Sequence, residues 1–98
     1  MAKARFDSTI HAPNRLQICA FLAPLEEAEF QAIRDELDVS DSVLSKHLKQ
    51  LEDVGYVTFS KTKVNGRQRM WVALTKSGRN ALAGHIEELK RIAGLVTD

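Results

Sequence analysis

Cysteine occurs once in the chain, at Cys19, so no intrachain disulfide can form and no multi-cysteine metal site can be built. A lone cysteine of this kind is expected in the core, in a reducing, cytoplasmic setting. Long apolar runs are missing too: the longest, Ile18 to Leu25, falls far short of the roughly 20 residues needed to span a bilayer. The opening MAKARFDSTI has no apolar segment of the secretory type. Five glycines and two prolines form no linker, and no low-complexity tract or internal repeat interrupts the chain. Residues 1–98 are therefore expected to form one domain around one core, with an ordinary globular balance of 44% apolar and 28% charged residues.

Catalytic signatures are absent as well. No nucleophile elbow, phosphate loop or paired-carboxylate motif occurs, so no catalytic residues, no cofactor and no enzyme are expected. His11, His47 and His85 are spread along the chain without an HxxxH spacing or an acidic partner at ligand distance, and no metal site is expected from them. His47 falls at the edge of an apolar stripe, which suits packing better than ligand contact.

Net charge is also nearly missing, at +1, but its distribution is uneven. Residues 1–41 carry four basic and eight acidic groups, a balance of −4, whereas residues 42–79 carry eight basic and two acidic groups, a balance of +6. A polyanion-binding surface can reside in that middle block.

The pattern of elements gives the block a shape. Residues 13–23, opening on Pro13 and stopped by Pro24, have apolar positions on most sides, as a buried helix does. Phe30, Ile33 and Leu37 mark a short amphipathic helix. Ser40 can cap a third helix, with Asp41 in its first turn, a ladder of Leu44, Leu48 and Leu51, and a stop at Gly55 in the left-handed region. Opposite the leucines lie Ser42, Ser45, Lys46, Lys49 and Asp53. Tyr56 to Val64 and Arg67 to Leu74 alternate around Asn65-Gly66, the pair that accepts positive φ at both positions of a type I′ turn. That turn pairs Val64 with Arg67, Lys61 with Met70, Phe59 with Val72 and Val57 with Leu74, which puts Val57, Phe59, Met70, Val72 and Leu74 on one face. Lys61, Lys63, Arg67 and Arg69 crowd the hairpin tip. Thr75 can cap a last helix over 76–96 whose apolar residues Leu82, Ile86, Leu89, Ala93 and Val96 recur every three or four positions. So many apolar positions exceed what a small core covers, and with Phe6 and Ile10 they are expected to pack across a two-fold homodimer axis.

Helix, helix, capped polar-faced helix, basic hairpin and closing helix is the order of a winged helix-turn-helix, a mainly α fold with a β-hairpin wing. The segments HAPNRLQICAFLA, VSDSVLSKHLKQLEDVGYV and KTKVNGRQRMWVALTKSGRNAL resemble the small MarR-like and ArsR-like transcriptional regulators over residues 10–84. The resemblance implies a recognition helix over about 41–54 that enters the major groove of duplex DNA, and a wing over 61–69 along the backbone. On this reading Ser42, Ser45, Lys46 and Lys49 contact bases or phosphates, while Lys61, Lys63, Arg67 and Arg69 grip phosphates or the minor groove. The Cys-x-Cys pair of the ArsR-like metal sensors has no counterpart in residues 39–43, so metal sensing of that type is excluded. A single helix follows the wing, so an effector pocket would be small and close to the dimer interface. The expectation is a dimeric repressor on a pseudo-palindromic operator with half-sites about one or two helical turns apart, roughly 34 Å per turn. A winged-helix module that binds an acidic protein, and a regulator responding to a small molecule between protomers, are the alternatives.

Overall fold

The computed structural model describes residues 3–96 as five helices and a three-stranded antiparallel sheet. α1 (Ser8–His11) is a single turn capped by Asp7, whose carboxylate accepts from the Ile10 N–H at 2.9 Å. α2 (Pro13–Leu22) begins with Pro13 in its first turn, where a missing N–H costs nothing. β1 (Ala28–Glu29) leads directly into α3 (Phe30–Leu37), which ends on Asp38 at φ 54°. α4 (Asp41–Asp53) is capped by Ser40, whose hydroxyl accepts from the Val43 N–H at 3.2 Å. β2 (Val57–Val64) and β3 (Arg67–Leu74) form the hairpin, and α5 (Lys76–Leu95) closes the chain, with Thr75 accepting from the Gly78 N–H at 2.9 Å.

The hairpin register follows from its turn. Asn65 and Gly66 both take positive φ, at 52° and 78°, and the pairs run Val64–Arg67, Lys61–Met70, Phe59–Val72 and Val57–Leu74. Gly55 ends the helix before it at φ 80°. Every one of the eight elements contributes to a single buried cluster that includes Ile10, Cys19, Ile33, Leu44, Leu48, Leu51, Val57, Val72 and Leu82. Among the described residues no helix is long and apolar enough to cross a membrane.

Three features depart from the sequence reading. α1 and β1 are additional; β1 pairs Ala28 with Val72 and Glu29 with Trp71, making β3 the central strand. Ile10, at 0% exposure, and Leu82, at 8%, belong to the chain's own core rather than to a dimer face, because α1 packs against α2 and α5 and closes over them. The apolar seam of α5 therefore divides: Leu82 is covered, Ile86 and Leu89 are half-buried, and Ala93 and Val96 are exposed. The far end of α5 projects beyond the core, and the radius of gyration of 14.6 Å exceeds the about 13 Å usual for a compact chain of this length.

Candidate nucleic-acid interface

The helix-turn-helix is braced from both sides of α4. On the α3 side, the Arg34 guanidinium reaches the Asp41 carboxylate at 2.8 Å and Asp35 at 3.3 Å, pinning the first residue of α4 across the turn. Those carboxylates, with the Asp41 hydrogen bond foremost, raise the Arg34 pKa. On the α2 side, Arg15 donates to the Thr9 carbonyl at 2.5 Å, to the Gln50 side chain and to His47 Nδ1 at 3.3 Å. His47 Nε2 lies 3.2 Å from the Asn14 amide. Burial, followed by Arg15 and Lys46, pushes the His47 pKa down and keeps the ring neutral. His47 thus locks α4 onto α2, in keeping with a packing role.

With Leu44, Leu48 and Leu51 buried, α4 presents Ser42, Ser45, Lys46 and Lys49 to solvent. Ser45 and Lys49 face the wing across a groove of about 950 Å3, lined also by Phe30, Leu48, Phe59 and Met70 and edged by Lys61, Arg67 and Arg69. α4 and the basic hairpin therefore share one side of the molecule. Ser42 and Lys46 lie farther round α4, and Lys63 stands at the wing tip outside the groove. Gln68, opposite Lys63 in the hairpin, also lines the groove; the pairing brings it there, and an amide side chain is well suited to adenine.

The cations of this surface differ in availability. Arg69 is bound to Glu29 of β1 at 2.5 Å and is half-buried, so it ties the edge strand to the hairpin. Arg79 donates to the carbonyls of Ala23 and Leu25 at 2.6 and 2.8 Å and holds the loop after α2. Lys49 pairs with Asp53 at 3.0 Å and Glu52 at 3.8 Å along its own helix, contacts that raise its pKa and that, being solvent-exposed, are weak. Lys46, Lys61, Lys63 and Arg67 make no ion pair among the described residues. Trp71, on the opposite face of the hairpin, donates its Nε1–H to Thr62 Oγ1 at 2.9 Å and stiffens the wing.

A capped helix braced in a tri-helical core beside a basic antiparallel hairpin can seat in a DNA groove, and comparison with known proteins decides the family. A family model described as a winged helix DNA-binding domain matches residues 14–93. The chain belongs to that family. This winged-helix protein is similar to a transcriptional regulator homologue from Pyrococcus horikoshii OT3, with a TM-score of 0.83 and 32% identity over 91% of this chain and 89% of that one. It is 34% identical over 79 residues to an uncharacterised protein of Methanocaldococcus jannaschii, covering 81% of this chain and 86% of that protein. MarR shares the fold at a TM-score of 0.77 and 14% identity, over 90% of the winged-helix protein and 64% of MarR. The MarR-like architecture expected from the sequence is the one observed. Two features of the protein set its own character. Cys19 is fully buried and its thiol is pushed up to about 12, chiefly by burial and then by Asp7, so it holds little thiolate. A second cleft, about 390 Å3, opens along α5 between Leu74, Leu82 and Ile86, flanked by Arg79 and Glu87.

Proposed function

We propose that this DNA-binding regulator is a sequence-specific transcriptional repressor that works as a homodimer on duplex DNA, with α4 in the major groove and the β2–β3 wing on the backbone. The observation that carries the reading is the shared groove: Ser45 and Lys49 of α4 face Lys61 and Arg67 of the wing on one side of the molecule. Lys46, Lys61, Lys63 and Arg67 grip phosphates, Ser42 and Ser45 meet base edges, and Lys49 joins them by giving up Asp53. Arg69 contributes through Glu29, by holding the wing in place. Dimerisation is supported by exposed apolar side chains at the far end of α5 and beside it: Leu95 at 71%, Val96 at 81% and Phe6 at 45% exposure, together with Ile92. Leu89, Ile92 and Val96 recur at three- and four-residue spacing, so one stripe of α5 can meet its own copy across a two-fold axis. Ile86 and Ala93 extend that stripe.

The test is selection of duplexes from a random pool, followed by a salt titration of the selected site. Four phosphate-binding cations on each of two protomers give a slope of log K on log salt near −7, which is roughly a ten-thousand-fold loss between 50 and 200 mM. A pseudo-palindromic site supports the dimer, whereas a flat slope refutes the DNA-binding surface and a single asymmetric half-site refutes the two-fold arrangement. An acidic protein partner is disfavoured by the lysine-rich rim, since interfaces between proteins are depleted in lysine. The apolar cleft along α5 favours, as a second reading, an effector held near the dimer axis; a thermal-shift screen with metabolites tests it by mass action.

A further inference from the structure

Residues 3–11 take no part in the groove; they lie on α5. The Arg5 N–H donates to the Gly84 carbonyl at 2.9 Å, and a Cβ at Gly84 would come within 2.8 Å of the Lys3 carbonyl, so the segment approaches the helix as closely as only glycine permits. The segment is held by a cluster of rings. Phe6 lies 4.8 Å from His11 and 4.9 Å from His85 between ring centres, and the two imidazoles meet edge to face at 5.1 Å. His85 is fully buried, while His11 is exposed.

The hydrogen bonds of this cluster fix where its protons are. The Asp7 N–H donates to His85 Nδ1 at 3.0 Å, so that nitrogen is bare and the ring proton sits on Nε2. His85 Nε2 is 3.1 Å from His11 Nδ1, which must then accept, leaving the His11 proton on its own Nε2. These contacts are satisfied together by one tautomer of each ring, with the proton on Nε2. A further proton has no place: on His85 Nδ1 it would face the Asp7 N–H, and on His11 Nδ1 it would face the His85 Nε2–H. Protonation of either ring turns a hydrogen bond into two opposed donors.

Asp7 connects this pair to the DNA-binding half. Its second carboxylate oxygen accepts from the Tyr56 hydroxyl at 2.6 Å. Tyr56 sits between α4 and β2; its N–H donates to Leu51 of α4 at 2.9 Å and its carbonyl accepts from Thr75, the cap of α5, at 3.0 Å. We propose that His11 and His85 form a pH-sensitive latch that, when neutral, holds residues 5–11 on α5 and Asp7 on Tyr56, and that opens on protonation, loosening the junction between recognition helix and wing.

The charged surroundings agree. Burial, and then His11, lower the His85 pKa against the smaller upward pull of Asp7. Cys19, on the α2 side, is an un-ionised thiol. Arg5 lies near Tyr56 and Asp7, opposing the rise of the phenol, and Arg15 is turned to Thr9 and Gln50. On α5, Glu88 is paired with Arg91 at 2.7 Å. A folded-state pKa held below the unfolded value of about 6.5 means that stability is complete above that pH and is lost as pH falls from there through the lower folded-state pKa.

The test uses the full chain, labelled with nitrogen-15, between about pH 8 and pH 5. At the upper pH both imidazoles show the Nε2–H tautomer, and the Arg5 and Asp7 amides are protected from exchange. At the lower pH both amides lose protection together by about tenfold, while the Leu48 amide in α4 stays protected. His85→Asn, whose carbonyl can accept from Asp7 without titrating, keeps the Asp7 amide protected at the lower pH. His11→Asn, at an exposed site that tolerates substitution, reduces the loss and keeps the test decisive if the buried variant does not fold. Unchanged protection in the wild type, or the same loss in His11→Asn, overturns the latch. The coupling to the wing rests on the DNA-binding reading and has its own readout: affinity for a selected duplex at fixed salt falls about tenfold over the same pH range in the wild type and less in His11→Asn. Amides that open without any change in affinity overturn the coupling. Absence of duplex binding at every pH overturns the DNA-binding reading while the amides still decide the latch.

Discussion

Replacing Gly78 by Ala probes the contact on which the wing and α5 depend. Gly78 lies in the first turn of α5, and a Cβ there would stand 2.2 Å from the Tyr56 carbonyl oxygen and 3.0 Å from its carbonyl carbon and Cα. These are backbone atoms and cannot rotate away, so the start of α5 must move by about 1 Å relative to β2. Overpacking of this kind costs about 1–3 kcal/mol. The same shift strains two hydrogen bonds, Thr75 N–H to Tyr56 O at 3.0 Å and Thr75 Oγ1–H to Gly55 O at 2.6 Å, each contributing about 0.5–1.5 kcal/mol. Alanine returns about 0.5–1 kcal/mol of helix propensity, leaving a net loss of about 2–4 kcal/mol. For a domain of this size the melting temperature drops by roughly 10–25 °C. Gly94→Ala is the internal control: its Cβ meets nothing within 4 Å, so the same substitution in the same helix raises stability by about 0.5–1 kcal/mol. Urea unfolding followed by circular dichroism measures both, with an unchanged m-value marking a pure stability effect. Gly78→Ala at or above wild-type stability would refute the packing argument, since propensity alone predicts the same sign for both glycines.

Two neighbouring wing arginines should separate by assay. Arg67→Ala makes the salt slope of duplex binding less negative by about 0.9 per protomer with little change in melting, whereas Arg69→Ala, which leaves Glu29 unpaired, lowers stability by about 1 kcal/mol once the exposure of Arg69 is allowed for; identical behaviour of the two would show that the Glu29 bridge does not hold the wing. Ser40→Ala loses one cap bond and costs about 1 kcal/mol, and Thr75→Ala, which loses a cap bond and the donation to Gly55, costs about 2 kcal/mol, so the reverse order in chemical denaturation contradicts the assignment. Tyr56 is the sole tyrosine and its phenol is pushed up to about 12, first by the hydrogen bond to Asp7. A raised folded pKa means stability is complete below about pH 10 and falls as pH climbs toward 12; phenolate absorbance appearing near pH 10 in the folded protein would place the hydroxyl away from Asp7.

What the sequence made legible was whatever local chemistry decides. Asn65-Gly66 selects the turn, the turn sets the register, and the register is verified by side-chain parity alone, so all eight hairpin pairs follow from two residues and a period of two. Ser40, Thr75 and Gly55 mark helix ends through bonds and dihedrals within a few residues of themselves. Non-local pairings were out of reach. β1 is two residues held by Val72 and Trp71, and the His11–His85 pair joins positions 74 apart; neither leaves a periodic trace. Periodicity also showed that α5 has an apolar seam without showing what covers it, and in the fold Leu82 is covered by the chain's own core while Val96 stays exposed. The same limit applies to charge. Eight basic side chains in residues 42–79 suggested a broad cationic surface, yet Arg69 and Arg79 are engaged within the fold and Lys49 is partnered along its helix. Lys46, Lys61, Lys63 and Arg67, which make no ion pair among the described residues and bear on the proposed interface, sit on α4 and the wing. The cations that the proposed interface offers a polyanion are therefore fewer than the sequence count implies, and the slope of a salt titration of duplex binding would count them directly.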